Sequence, residues 1–260
     1  MTDGLFHGQV ALLTAATSGI GLAAAELLAC HGARAVVVNG RHPEAGARAV
    51  ERIRAQAGAA AAVEFIGADL GDPAQAAGLC EQVLARHGRI DVFVHGGGAE
   101  ISPQLFVDLD PAHYRTLIDG HFSALLHTCR VVAPAMVRQG GGAIVAIASD
   151  AGKIATPGES VIGAMKAATI MFVRTLALEL GRHQVRVNCV TPSLVTGTRA
   201  HDRVMAGAFS RRIFEKAAAR ARLGVPGPAA VAQAAVFLAS PLSSHTTGQA
   251  LSVNGGISAA

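Results

Sequence analysis

The sequence predicts an α/β fold: one doubly wound parallel sheet with helices on both faces. Three observations carry this. Short apolar runs alternate along the chain with segments of helical apolar spacing, the pattern of parallel strands joined by right-handed crossovers. A glycine-bearing turn, "TAATSGIG", lies between the first apolar run and the first helical segment. Hydrophobic residues make up 51% of the 260 residues and charged residues only 15%. That is enough apolar material to cover a sheet on both faces, and it excludes a disordered chain.

Taken in order, "QVALLTA" is a short apolar run ending at a turn and reads as the first strand. "GIGLAAAELLACHG" follows as a helix, with Ile20, Ala24, Leu27 and Leu28 at helical spacing, and stops at Gly32. "RAVVVNG" is a second buried strand, followed by a helix from about Pro43 to Gln56 and the strand "AAVEFIGADL". A helix from Pro73 to His87 leads to the strand "IDVFVHGGG". One long helix is expected around Pro111–Gln139, then the strand "GAIVAIAS", a helix through Lys166, and the strand "VRVNCVTP". A helical segment of variable character fills 198–222, and the chain closes with the helix "PAAVAQAAVFLAS" and the strand "QALSVNGG". With no repeat, low-complexity tract or linker, residues 1–260 read as a single domain.

The net charge of +4 is modest, and the most basic-looking stretch, "RHPEAGARAVERIRAQ", has Glu44 and Glu51 interleaved. It reads as a solvated helix, not a nucleic-acid face. Cys30, Cys80, Cys129 and Cys189 form no C-x-x-C pair, and each sits in or beside an apolar stretch. Four buried free thiols suit a reducing cytoplasm, and no metal-ligand set is expected. The start "MTDGLFHGQVALLTAA" carries Asp3 and no basic region before its short apolar run. No signal peptide and no membrane span are expected.

A glycine turn between strand and helix lets backbone N–H groups and a helix N-terminus approach a pyrophosphate. On these motifs the chain resembles the short-chain dehydrogenase/reductase family, whose opening T-G-x-x-x-G-I-G is matched by Thr14-Ala15-x-x-x-Gly19-Ile20-Gly21. The resemblance extends over nearly the whole chain and implies a Rossmann domain. It places Thr14, Ser18, Gly19, Ile20 and Gly21 at the cofactor phosphates. Asp69 and Leu70 of "GADL" fall at the adenine, and Gly96 lies in "HGGG", which replaces the family's N-N-A-G. Pro192 and Val195 of "VRVNCVTPSLVTGT" flank the nicotinamide, and "GAIVAIASDAG" carries a catalytic serine, Ser149. The C-terminal stretch from "RLGVPG" to "SVNGG" follows the family pattern almost throughout.

At the end of the second strand an acid would bind the ribose 2′-OH and repel a 2′-phosphate. Here Gly40 stands there, followed by Arg41, and a guanidinium grips a phosphate through two donors. The expected cofactor is NADP(H) in preference to NAD(H), although Ser18 stands where many NADP enzymes carry a basic residue. Ala15 is a departure from the family's glycine. A positive φ there would cost on the order of 1 kcal/mol.

The family's reaction needs a proton donor for the alkoxide made when hydride reaches a carbonyl carbon. Family members use a tyrosine, four residues before a lysine that binds the nicotinamide ribose and lowers the tyrosine's pKa. Counting back from Lys166, and forward from Ser149, both lead to Ile162. The enoyl-reductase branch spaces the pair by seven, which leads to Glu159. The only tyrosine is Tyr114, expected to be an aromatic packing residue. The family's relay asparagine aligns with His121, which in the enzyme reading titrates near neutral pH and moves protons and otherwise is a helix histidine bonded to backbone. Ser149, Lys166 and His121 are thus the candidate catalytic residues; Asp150 and Glu159 read as loop residues near the mouth. The implied function is an atypical nicotinamide-dependent enzyme, redox or non-redox, acting on a small carbonyl or hydroxyl compound. A second reading stays open: a catalytically inactive, nucleotide-binding or oligomer-partner subunit, or one that holds no cofactor at all. The resemblance also implies a homo-tetramer or homo-dimer.

Overall fold

The computed structural model describes residues 4–57, 61–98 and 101–260; the expectation read from Asp3 lies outside them. Seven strands form one parallel sheet: β1 (Val10–Thr14), β2 (Ala35–Gly40), β3 (Ala62–Gly67), β4 (Val92–His95), β5 (Gly142–Ile147), β6 (Val185–Thr191) and β7 (Ala250–Ser252). Their order is β3-β2-β1-β4-β5-β6-β7, with every pair parallel. The expected doubly wound sheet is therefore present. The chain runs outward from β1 to β3, then crosses back to place β4 on the other side of β1. The crevice for a ligand lies where the order reverses, at the carboxyl ends of β1 and β4.

Alternation along the strands builds the two core layers. Ala11, Leu13, Val36, Val38, Val92, Val94 and Val145 face one way. They pack under α1 (Gly19–Cys30), α2 (Pro43–Ala57) and α9 (Pro228–Ala239). Val10, Leu12, Val37, Phe93 and Ile144 face the other way, under α3 (Pro73–His87), α5 (Ala124–Gln139) and α6 (Ser160–Leu180). Local chemistry sets the helix ends. The Asp72 carboxylate accepts from the N–H of Ala74 at 2.8 Å and of Gln75 at 3.4 Å, with Pro73 at the first helical position, and Gly88 stops α3 at φ 78°. The Arg186 guanidinium donates to the carbonyls of Leu238, Ala239 and Ser240 and so closes the C-terminus of α9.

Several boundaries differ from the sequence reading. The long helix over Pro111–Gln139 is three pieces: α4 (Ala112–Ile118), a π-helical turn (Asp119–Ser123) and α5. Segment 198–222 contains α7 (Arg199–Ala206) and α8 (Ala208–Ala218). β3 stops at Gly67 and β4 at His95, before the turns that carry Asp69 and Gly96, and β7 is only Ala250–Ser252. Cys80, Cys129 and Cys189 are buried, but Cys30 is exposed, because it ends α1 just past the inward-facing Leu28 and Ala29. The length and composition of α6 would suffice to cross a membrane, with a mean hydropathy of 1.6. It is nonetheless a layer of the domain, since Ile170, Val173 and Ala177 pack into the core against the sheet.

One contact fixes α6 against the turn that follows β5. A Cβ on Gly163 would stand 2.8 Å from the Ala151 carbonyl oxygen, and one on Gly152 would stand 2.7 Å from the Lys166 carbonyl carbon. Both obstacles are backbone, so neither can swing aside. Gly163→Ala should therefore destabilise the protein by about 1–3 kcal/mol in urea unfolding. Gly78→Ala, in the interior of α3 with nothing within 4 Å of the added carbon, should stabilise it by about 0.5–1 kcal/mol. A Gly163→Ala protein as stable as the parent would mean that the two segments are not locked together.

Candidate active site

A cleft of about 960 Å³ runs along the carboxyl edge of the sheet. At one end is the turn from β1 into α1. Gly19 has φ 57°, and a Cβ on Gly21 would meet Ala16 Cα at 2.8 Å, so glycine is required at both positions. Ser18 occupies the N-cap position of α1 but its side chain makes no capping bond; the helix start thus offers backbone donors toward the cleft. Ala15 adopts φ 50° and lines the cleft. The positive φ considered in the sequence reading is present, with its cost of about 1–2 kcal/mol for an alanine.

Ser18, Gly19, Ile20, Gly21, Arg41, Asp69, Leu70, Gly96, Pro192 and Val195 all line the cleft, as do Ser149, Lys166 and His121. Thr14 does not. It is fully buried at the end of β1, where its hydroxyl meets His95 Nδ1 at 2.9 Å and ties β1 to β4. Its role in the cofactor set is corrected to an internal one. Thr17 and Thr198 line the cleft and were missed, and Gly40, read at the ribose 2′ position, lines it too. Thr17 packs on Gly40, where an added Cβ would lie 2.8 Å from Thr17 Cγ2, a proximity that no sequence motif marks. The Asn39 amide donates to the carbonyls of Ile66 at 3.0 Å and Ala68 at 3.2 Å, and so holds the Asp69 turn beside Arg41. Asp69 in turn accepts from Gly71 N at 3.0 Å.

The inner end of the cleft gathers titratable groups around Lys166. Its ammonium is buried and donates to the carbonyls of Gly97 at 3.2 Å and Ile147 at 3.1 Å. Burial lowers its pKa to about 8, so it stays mostly charged at pH 7. Ser149 Oγ accepts from Ala151 N at 3.2 Å, and its O–H remains available to donate toward the cleft. His121 lies on the π-helical turn; burial and then the Lys166 charge push its pKa down to about 3. The ring is neutral at physiological pH, and the expected titration near neutrality is corrected accordingly. The same two causes, in the same order, bring His95 to about 3. Its buried Nε2 has no hydrogen-bond partner among the described residues, an arrangement that costs about 1–3 kcal/mol until a polar group arrives.

Ile162 is half-buried and lines the inner end. Tyr114 stacks on Phe106 with ring centroids 6.1 Å apart and has no place in the cleft wall. Glu159, read as a loop residue near the mouth, is the non-helical N-cap residue of α6; it is half-buried and lines the cleft, and burial raises its pKa to about 7. Only the seven-residue spacing to Lys166 marked it in the sequence.

The residues present fit a nicotinamide dinucleotide. Glycines shape the walls where a phosphate must approach, and a Cβ on Gly96 would lie 2.8 Å from the Thr14 carbonyl oxygen. The orphaned His95 Nε2 lies in the wall of the same cleft.

Comparison with known proteins supplies the context. Residues 14–258 match the family model described as enoyl-(acyl carrier protein) reductase. The chain is 32% identical over 256 residues to the 3-oxoacyl-[acyl-carrier-protein] reductase of Chlamydia muridarum, covering 98% of this chain and 99% of that one. A short-chain type dehydrogenase/reductase from Mycobacterium ulcerans superposes with a TM-score of 0.89 at 30% identity, over 97% of this chain and 90% of the other. A gluconate 5-dehydrogenase from Burkholderia cenocepacia J2315, solved with NADP and tartrate, gives 0.88 at 27% identity over 98% of each.

The two depressed histidines predict an acid-sensitive fold. Their unfolded pKa lies near 6.5 and their folded pKa near 3. The unfolded chain therefore takes up more protons below about pH 6.5, and stability is lost as pH falls. Glu159 acts in the opposite sense: its raised carboxyl stabilises the fold at low pH, and that contribution is lost as pH rises through about 7. Comparing the parent with His95→Asn/His121→Asn isolates the histidines. Between pH 7 and pH 5 the parent should lose about 2 kcal/mol per histidine relative to that variant in urea unfolding. Parallel pH profiles would show that the rings are not held neutral by burial.

Proposed function

The chain belongs to the short-chain dehydrogenase/reductase family, and on that premise we propose that it is an NADP(H)-linked oxidoreductase interconverting a carbonyl and a hydroxyl on a small molecule, with an altered acid–base set. The observation that carries the reading is the continuity of one cleft. It runs from the glycine turn at Gly19–Gly21, past Arg41 and Asp69, to Ser149 and Lys166. The NADP bound by the gluconate dehydrogenase and the reductase activity named for the Chlamydia relative agree with it.

When bound, the nicotinamide supplies or accepts a hydride. The protein's own residues do the rest. Ser18, Gly19, Ile20 and Gly21 offer the turn and helix start to the phosphates. Arg41 answers a 2′-phosphate with paired donors, Asp69 and Leu70 frame the adenine, and Gly96, Pro192 and Val195 shape the nicotinamide end. Lys166 donates to ribose hydroxyls, and its charge stabilises negative charge nearby. The Ser149 hydroxyl polarises and orients the substrate carbonyl. Ile162 keeps its corner apolar and supplies no proton. That replacement alone favours the second reading, a non-catalytic nucleotide-binding subunit.

Exposed apolar residues on the outer face of α6, Met171 at 58% and Leu178 at 85% exposure, together with Leu251 on edge strand β7, support a homo-tetramer or homo-dimer formed through these elements. Sedimentation of the protein as a 26.4 kDa monomer at micromolar concentration would remove this part. The buried thiols of Cys80, Cys129 and Cys189 suit a cytoplasmic setting.

The decisive measurement is calorimetric titration with NADPH and NADH. NADPH should bind more tightly, and Arg41→Ala should abolish the preference while leaving NADH affinity nearly unchanged. Asp69→Ala should weaken both. Failure of the parent protein to bind either nucleotide would sink the reading.

A further inference from the structure

Ile162 and Lys166 lie on one face of α6, Glu159 stands at the N-cap position just before it, and all three line the inner end of the cleft. The four-residue spacing keeps Ile162 and Lys166 on one helical face, and Glu159 precedes that face at the mouth of the helix. The middle position is apolar, and the two ends are a carboxyl and an ammonium. The Glu159 carboxyl has three properties that a spectator would not need. It stands at the N-cap position of α6 but makes no capping bond. Among the described residues it forms no hydrogen bond or ion pair, whereas the Asp72 carboxylate is hydrogen-bonded and that of Asp91 is both hydrogen-bonded and paired with Arg89. And it is half-buried, not displayed on the surface.

We propose that the Glu159 carboxyl is the proton donor of this site, filling the role that Ile162 cannot. The proposal rests on the oxidoreductase reading above and deepens it. In the reducing direction the substrate carbonyl carbon receives a hydride from the reduced nicotinamide. The carbonyl π pair moves to oxygen, and that oxygen takes the proton from the Glu159 O–H. The carboxylate left behind is attracted to the Lys166 ammonium. Water at the open side of the cleft returns the proton. In the oxidising direction the carboxylate would accept the hydroxyl proton as the hydride leaves the carbon for a bound oxidised nicotinamide.

The charged surroundings of Glu159 suit a carboxyl that exchanges its proton near neutrality. Burial is the main cause of its raised pKa, Lys166 on the same helix opposes the rise, and Asp150 on the turn after β5 adds to it. Asp150 is itself buried and accepts from the Ser258 hydroxyl at 2.7 Å. His121 on the π-helical turn is neutral and adds no charge. General acids work best when their pKa lies close to the operating pH, and this one is near 7.

The first test needs no nucleotide. In protein labelled with 13C at the glutamate carboxyls, one resonance should titrate near pH 7 and be missing from Glu159→Gln. The second follows NADPH oxidation with ethyl acetoacetate and with acetoacetyl-coenzyme A. Glu159→Gln should lower kcat by about 10²–10⁴-fold while NADPH affinity by calorimetry is kept, and Glu159→Asp should retain a measurable part of the rate. Parent kcat for reduction should fall as pH rises above about 7, and that limb should be absent from Glu159→Gln. A Glu159 carboxyl titrating below about pH 5, as an ordinary glutamate does, overturns the proposal. So does a Glu159→Gln enzyme as fast as the parent, or a parent that binds NADPH and reduces neither probe. A parent that binds no nucleotide overturns the proposed function instead.

Discussion

An ammonium withdrawn from water must be met by acceptors, and the active end of this protein is arranged around that requirement. Lys166 is buried, and its ammonium donates to two backbone carbonyls, Gly97 after β4 and Ile147 at the end of β5. Those acceptors are available only because adjacent parallel strands end together at this edge. The charge then acts on everything near it. It helps keep His95 and His121 neutral and moderates the rise in the Glu159 pKa. The position of Lys166 is itself set by the interlocked glycines, Gly152 and Gly163, which leave no room for a side chain between α6 and the turn carrying Ser149. Catalytic geometry here is a consequence of backbone packing.

Most of the fold was legible from the sequence, because the signals for a parallel sheet are local and repeated. Val36, Val37 and Val38 are buried on alternate faces of β2, and such runs, bounded by glycine turns and helical segments, have few other readings. What was not legible depends on one extra residue or on exact strand ends. The segment Pro111–Gln139 has helical periodicity throughout, and nothing in its composition marks the π-helical turn at Asp119–Ser123. The expected strand of "QALSVNGG" was cut to Ala250–Ser252, since pairing exists only against β6 on one side.

The candidate site divides in the same way. The glycine turn, Arg41, Asp69, Ser149 and Lys166 line the cleft as the motif order implied. Thr14 was misjudged because a motif letter does not say which way a side chain points; at the end of β1 it turns into the sheet and binds His95. His121 was misjudged on its chemistry. Its residue type suggests titration near neutrality, but burial decides the charge state, and burial is a property of the fold. Glu159 was undervalued for the converse reason. A glutamate beside glycine and serine reads as solvated until the helix that follows is seen to carry it into a wall shared with Lys166.

The π-helical turn at Asp119–Ser123 also bears on how the protein can vary. It holds one residue more than an α-helical path between α4 and α5 would need. An α-helix advances about 100° per residue and a π-helical turn less, so the extra residue is absorbed within the turn and α4 and α5 keep a common phase. Removing one residue here would restore regular winding and leave both flanks on their present faces, with Leu125, Cys129 and Val132 of α5 still seated on the sheet. The loss would fall on the widened turn itself, where Asp119 and His121 line the cleft. A change of length in this segment therefore alters the pocket without loosening the core.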